Sequence, residues 1–289
     1  MEHKKIVISC DSTIAMTKDD ILSNNLHVIP LNTIVDGKEY HDTIDIDSLK
    51  LCELMRNGAK ISTSTPSPVE IENYFDELFA STNADIIIHY TISSKLSSMF
   101  SLFTTVCNGK YGNKVKVVDS LSICKWMANQ VLFARKLANE GLDADEIIKT
   151  VKDTLSQTED CVFLPESIEY LKRGGRIKPA IAALVNFIGV LPILTFKDGE
   201  VGKKGVTRTL TKAFTNALKE WLESIENIKE NYSLLILWND NASLEKVEKI
   251  KAIIKEYAPD MDVVLGNISL NVTAHAGPGT VALGILKKY

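Results

Sequence analysis

The chain has 289 residues, 45% hydrophobic and 24% charged, with a formal net charge of -4. It is long enough to bury a substantial core in one large or two medium domains, and its mild acidity gives no reason to expect a nucleic-acid partner. The five cysteines, at 10, 52, 107, 124 and 161, are too scattered for a disulfide framework or a zinc site and suit a reducing cytoplasm.

The N-terminus runs directly into a strand over 6–10 and reads as lacking a secretory leader. No apolar run approaches the roughly 18 residues that a membrane span needs. "DSTIAMTKDDILSNN" leaves the first strand through a polar turn into a helix, and "LHVIPLNTIVDGKEYHD" reads as strand, Asp-Gly turn, strand. A helix is expected over 46–56 with Gly58 as its stop, then a loop "STSTPSP", then a helix over 69–79 favoured by its prolines. Strand 85–91, helix 96–107, strand 114–119, a long helix 122–139 and one more through "GLDADEIIKTVKDTL" complete the first half. Such βα alternation, with strands apolar on both faces, predicts a parallel sheet covered by helices.

The second half differs. Strand 161–164, helix 168–172, a Gly-Gly turn, an apolar helix 180–187 and strand 191–196 ending in "KDGEV" are followed by helix 211–225, strand 233–238, helix 244–257 and strands near 263–268 and 281–286. The Asp-Gly turn predicts antiparallel pairing. The fold class is α/β in two domains: a Rossmann-like parallel-sheet domain over 1–158, and a smaller α/β domain with a mixed sheet over 159–289.

Ligands of a parallel sheet bind beyond the carboxyl ends of its strands. There the sequence places Asp11-Ser12-Thr13, the segment "TISSKLSS", and Asp119-Ser120-Leu121-Ser122, and the loop Ser62 to Thr65 adds four hydroxyls. Each cluster could simply cap a helix. Together they could cradle a carboxylate or phosphate. Arg176, after the Gly174-Gly175 turn, and Arg208 could face an anion or pair with surface carboxylates.

Near the C-terminus, "TAHAGPGTVALGILKKY" reads as a tight turn into a buried edge strand, or as a loop whose backbone approaches an anion while His275 donates to it. A nucleophilic Ser94–His275 dyad has the residue types but no G-x-S-x-G elbow. The five histidines are dispersed, which leaves no metal site in view, and "GGRIKPA" is not a dinucleotide fingerprint.

"CDSTIAM", "STSTPSP", "ISSKLSS", "VVDSLS", "IEYLKRGGRI", "LPILTFKDGEV", "VTRTLTKA" and "HAGPGTVALGI", in this order, resemble the DegV family of bacterial fatty-acid-binding proteins across essentially the whole chain. The resemblance implies a cytoplasmic lipid-binding protein that does no chemistry itself and needs no cofactor or metal. It would hold a long-chain fatty acid and present it to a separate ATP-dependent kinase subunit, which makes acyl phosphate for phospholipid synthesis. Contact with a membrane surface would be at most transient. Carried onto this chain, the carboxylate is held by Thr63, Ser64, Ser93, Ser94 and His275, with Arg176 and Arg208 at the family's arginine positions. Gly277 and Gly279 let the His275 loop pass close to the head group. The helices in "AIAALVNFIGVLPIL" and "SLFTTVC" are candidate tunnel walls, or ordinary core. Departures from the family pattern fall at Thr65, Ser98, Met99, Cys124, Trp126 and Leu191. The alternatives are a hydrolase of acyl esters or acyl phosphates using Ser94 and His275, and a sensor of another small carboxylate.

Overall fold

The computed structural model describes residues 4–42, 44–155, 160–177 and 190–289. In its first half the chain runs β1 (Ile6–Asp11), α1 (Lys18–Ser23), β2 (His27–Ile29), β3 (Asn32–Val35), β4 (Lys38–His41), α2 (Ser48–Arg56) and β5 (Ile61–Ser64). It continues with α3 (Pro68–Thr82), β6 (Ile86–Thr91), α4 (Met99–Lys110), β7 (Val115–Asp119), α5 (Cys124–Asn139) and α6 (Ala144–Leu155). The second half holds β8 (Asp160–Leu164), α7 (Glu169–Gly174), β9 (Leu191–Lys197), β10 (Glu200–Thr207), α8 (Leu210–Ser224) and α9 (Ile228–Asn231). It closes with β11 (Tyr232–Trp238), α10 (Leu244–Tyr257), β12 (Val263–Asn267), α11 (Leu270–Ala276) and β13 (Val281–Lys287).

The expected parallel sheet is present, in the order β2-β1-β6-β7. Alternate residues of its strands face opposite sides. Val7 and Ile87 pack with Ile71, Phe75 and Phe103 of α3 and α4. Ile8 and Ile88 pack with Met127, Val131 and Ile147 of α5 and α6. Local chemistry sets the helix starts: Ser67 and Glu70 form a capping box at α3, with Pro68 in its first turn.

The second sheet is mixed and has six strands, β10-β9-β8-β13-β11-β12, in which only β11 and β12 run parallel. The hairpin β9–β10 turns through Asp198 and Gly199, both at positive φ, as an Asp-Gly turn favours. One face of this sheet is covered by α8 and α10 through Phe214, Leu218, Ile250 and Ile254. The other face contributes Phe163, Phe196, Leu237 and Ala282 to the same core as Phe75 and Trp126, so the two sheets share an apolar interior.

Three expectations need correction. The "STST" stretch is not a loop: β5 pairs antiparallel with β3, and with β4 these strands form a separate three-stranded sheet. β13 is no edge strand, because it lies between β8 and β11. His275 sits in the last turn of a helix, α11, rather than on the loop that follows. The apolar helix expected over 180–187 and the boundary at 158 lie outside the described residues.

Candidate functional site

A cavity of about 1080 Å³, its open mouth included, lies between the carboxyl edge of the parallel sheet, the β5–α11 pair and the inner face of the six-stranded sheet. Its walls are mostly apolar: Ile92, Met99, Ile123, Trp126, Phe163, Phe196, Leu237 and Ile268 all line it. Besides buried Asn271 and Thr280, the polar side chains that line it are Thr63, Ser64 and Thr65 at the end of β5, Ser97 and Ser98 where α4 begins, Arg176 just after α7, and His275, with Ser64, Ser98 and Arg176 exposed at its mouth. Arg176 ties this group together, since its Nε donates to the Leu96 carbonyl at 3.2 Å and its side chain lines the cavity beside His275.

Thr63 Oγ1 and His275 Nε2 are hydrogen-bonded at 3.0 Å, joining β5 to the end of α11. The ring can occupy this place because residue 174 is glycine: a Cβ there would lie 2.3 Å from His275 Nδ1. Burial, and then the Arg176 guanidinium, push the His275 pKa down to about 4. The imidazole is therefore neutral at pH 7, with one N–H to give and one lone pair to accept.

The other expected site residues are placed differently. Ser93 is fully buried and its Oγ donates to the Gly199 carbonyl at 2.6 Å. Ser94 is exposed, its backbone N–H donates to Asp119, and neither serine lines the cavity. A Ser94–His275 dyad is not assembled, because the imidazole that lines the cavity bonds Thr63 instead. Arg208 is exposed beyond β10 and outside the cavity lining.

Gly277 and Gly279 also stand outside the lining, and their backbone conformation serves the turn itself. A Cβ on Gly277 would lie 2.4 Å from the Tyr170 ring, and one on Gly279 would lie 2.0 Å from the Glu166 carboxyl. Asn239 Nδ2 donates to Gly277 O at 2.7 Å and the Gly279 N–H donates to Asp240 at 3.0 Å. Asp240 in turn pairs with Arg56 at 2.7 Å. The glycines seat a clamped turn behind the histidine.

Of the two candidate tunnel walls, the "SLFTTVC" helix is ordinary core, with Phe103 and Cys107 fully buried against α3. The helical part of "AIAALVNFIGVLPIL" lies outside the described residues. Five of the six departures noted in the sequence, Thr65, Ser98, Met99, Cys124 and Trp126, line the cavity; Leu191 packs against the other core. Sequence reasoning missed Ser97, a few residues beyond the favoured pair in "ISSKLSS". It also missed Asn271, which precedes His275 by one helical turn and whose Nδ2 is buried with no hydrogen-bond partner among the described residues. No cluster of three potential metal-ligating side chains occurs among the described residues, and no described helix is long and apolar enough to cross a membrane.

Comparison with known proteins gives this geometry a family. The model of the DegV family of uncharacterised proteins matches residues 5–288. The chain belongs to the DegV family. A DegV domain-containing protein of Staphylococcus aureus is 30% identical over 98% of this chain and 99% of its own length. Among solved structures, a DegV-family protein of Thermus thermophilus described for its fatty acid binding superposes with a TM-score of 0.85 at 25% identity, covering 98% of this chain and all of that one (100%). DegV of Bacillus subtilis, a fatty acid binding protein, gives a TM-score of 0.83 at 23% identity, over 99% of this chain and 100% of its own. Superposition over nearly the whole of each chain shows that these DegV-family structures share the fold described above.

Proposed function

We propose that this chain binds a long-chain fatty acid, with the carboxylate at the Thr63–His275 end of the cavity and the acyl chain against its apolar walls. The observation that carries this reading is the cavity's polarity: an apolar interior whose mouth holds a neutral histidine, three residues of β5 and its end, and Arg176. Burying about 14 methylenes at ~0.8 kcal/mol each gives a gross gain of roughly 11 kcal/mol before the costs of association. A carboxylate can be drawn in only where donors meet it, and the hydroxyls of Ser64 and Thr65 with the hydrogen-bonded Thr63–His275 pair supply them. The fatty-acid-binding relatives from Thermus thermophilus and Bacillus subtilis support the same ligand class.

In this reading the protein is not an enzyme. It acts in the cytoplasm and presents the acid, head group outward, to a separate ATP-dependent kinase that forms the acyl phosphate for phospholipid synthesis. Exposed Ser64, Ser98 and Arg176 at the mouth suit a head group that a partner must reach. Residues 1–158 supply the head-group hydroxyls. Residues 159–289 supply the sheet against which the acyl chain lies.

The test is ligand identification. Protein purified from its own cells and extracted with organic solvent should release a fatty acid detectable by mass spectrometry, and the emptied protein should take up one equivalent on titration. Finding no acid in the extract and no uptake would overturn the proposal. Multiple-turnover release from an acyl ester, abolished by Ser94→Ala, would replace it with the hydrolase reading.

A further inference from the structure

We infer that Trp126 is the end wall of the acyl cavity and sets the longest chain it accepts, an inference that rests on the fatty-acid reading above. Thr280 and Ala282 of the C-terminal segment both line the cavity and, two apart on an extended chain, share one face of it. The next residue on that face is Gly284. There the floor is closed: a Cβ on Gly284 would lie 2.5 Å from Trp126 Cζ2, so the indole rests directly on the strand. The neighbouring strand repeats the pattern, because Phe163 pairs with Ala282 and Cys161 with Gly284, and both line the cavity.

The channel therefore follows β13 and β8 away from the His275 turn and ends under the indole. From Thr280 to Gly284 the strand spans about 13 Å at ~3.3 Å per residue. Along this stretch alone lie about ten of the acid's carbons at ~1.25 Å per bond, taking ordinary carbon–carbon bond lengths and angles, with the rest of the chain between Thr280 and the head group.

The wall is fixed rather than soft. Trp126 is 2% exposed, its Nε1–H donates to the Ile285 carbonyl at 2.7 Å, and its ring leans on Phe196 with centroids 6.3 Å apart. Asn129, on the next turn of α5, donates to the Lys287 carbonyl at 2.9 Å, so the helix carrying the indole is tied to the strand twice. A terminal methyl reaching the indole cannot displace it without breaking the Nε1 bond. A longer chain would have to overpack the site or pull its carboxylate away from His275, both unfavourable.

Affinities of a homologous series of saturated straight-chain acids, decanoic to arachidic, should be measured on emptied wild type, Trp126→Phe, Trp126→Leu and Gly284→Ala. Wild type should bind more tightly with each added pair of carbons up to a maximum, then lose at least tenfold at the next member. Trp126→Leu should move the maximum to longer acids by at least one two-carbon step, and Trp126→Phe should move it less. Gly284→Ala keeps the tryptophan but brings a Cβ to 2.5 Å from Trp126 Cζ2 and 2.9 Å from the Asp160 carbonyl, so ring and backbone must both give; in the folded variant it should shift the maximum to shorter acids. A maximum that stays in place in all three variants, or a uniform loss across the series, would overturn the inference while leaving fatty-acid binding intact. No binding of any acid by wild type would instead sink the fatty-acid reading itself, and this inference with it.

Discussion

The carboxyl edge of the parallel sheet and the β5–α11 wall carry the same kinds of side chain and use them in opposite ways. At the sheet edge, Asp11 accepts from the Ile92 N–H at 2.7 Å and from the Thr13 N–H at 2.9 Å. Ser12 Oγ accepts from Leu31 N, Ser120 Oγ from Ser122 N, and Ser93 Oγ donates to Gly199 O. These groups are buried and spent on the backbone. On the β5–α11 wall, Thr63 and His275 bond each other across a cavity with apolar depths. A hydroxyl that already serves a buried backbone group is not available to a ligand, because taking it away leaves that group unsatisfied. The density of hydroxyls in a sequence is thus a poor guide to a site; what matters is which of them the fold leaves facing open space.

The largest test of this contrast is Asp11→Ala. It strands the buried Ile92 and Thr13 N–H groups and leaves the Thr13 hydroxyl only the Met127 sulfur, and should cost about 3 kcal/mol of stability in denaturant unfolding, with the affinity of the remaining folded protein for a fatty acid unchanged. A specific loss of affinity without loss of stability would put the sheet edge back in the site. His275→Ala should show the reverse pattern: a loss of about 1–3 kcal/mol in acid binding by titration calorimetry, with little change in thermal stability.

The pH dependence sharpens the contrast further. The folded pKa of His275, about 4, lies below its ordinary value of 6.5, so between these values the unfolded chain binds the proton more readily. Its contribution to stability is fully present above pH 6.5 and is lost as pH falls toward 4. His275→Gln should flatten that part of the pH–stability curve of the ligand-free protein; an unchanged curve would mean that the ring is no more shielded than in the unfolded chain. The smallest effect is expected for Ser94→Ala, within about 0.5 kcal/mol of wild type in both stability and acid binding. A tenfold loss of affinity would show that its exposed hydroxyl is used after all.

Most of the architecture was legible in the sequence because it rests on local signals. The apolar runs became β1, β6, β8 and β11, β-branched in the first two; the Asp-Gly pairs at 36–37 and 198–199 became the hairpin turns; Pro68 marks the first turn of α3. What escaped was decided by tertiary pairing. "ISTS" has too few apolar residues to read as a strand, and becomes one because β3 offers it a ladder. "LNVTAHA" carries Asn271, Val272 and Thr273, weak helix formers, yet folds as α11 through Leu270 and Ala274 packing on Leu51 and Met55. No periodicity could show that Ser93 turns toward the β9–β10 hairpin, since Gly199 lies 106 positions away. His275 and the Ser62–Thr65 hydroxyls were legible as anion-binding candidates in the residues themselves, and only their pairing as one head-group site came through the family resemblance; Gly277 and Gly279 were recognised as special for a reason the structure replaces with another.

The bond between Thr63 and His275 joins positions 212 apart in the chain, and that separation has a consequence for how the protein comes into being. Neither element carries a local precursor of the pair, so ribosomal synthesis must run on through α11 before the wall can exist. Fragments ending before α11 could form the parallel sheet and still lack the imidazole. Once the wall has closed, any molecule that grips both of its sides staples distant stretches of polypeptide. Its concentration then enters directly into the melting temperature through mass action, and occupancy and lifetime in the cell become two readings of one equilibrium.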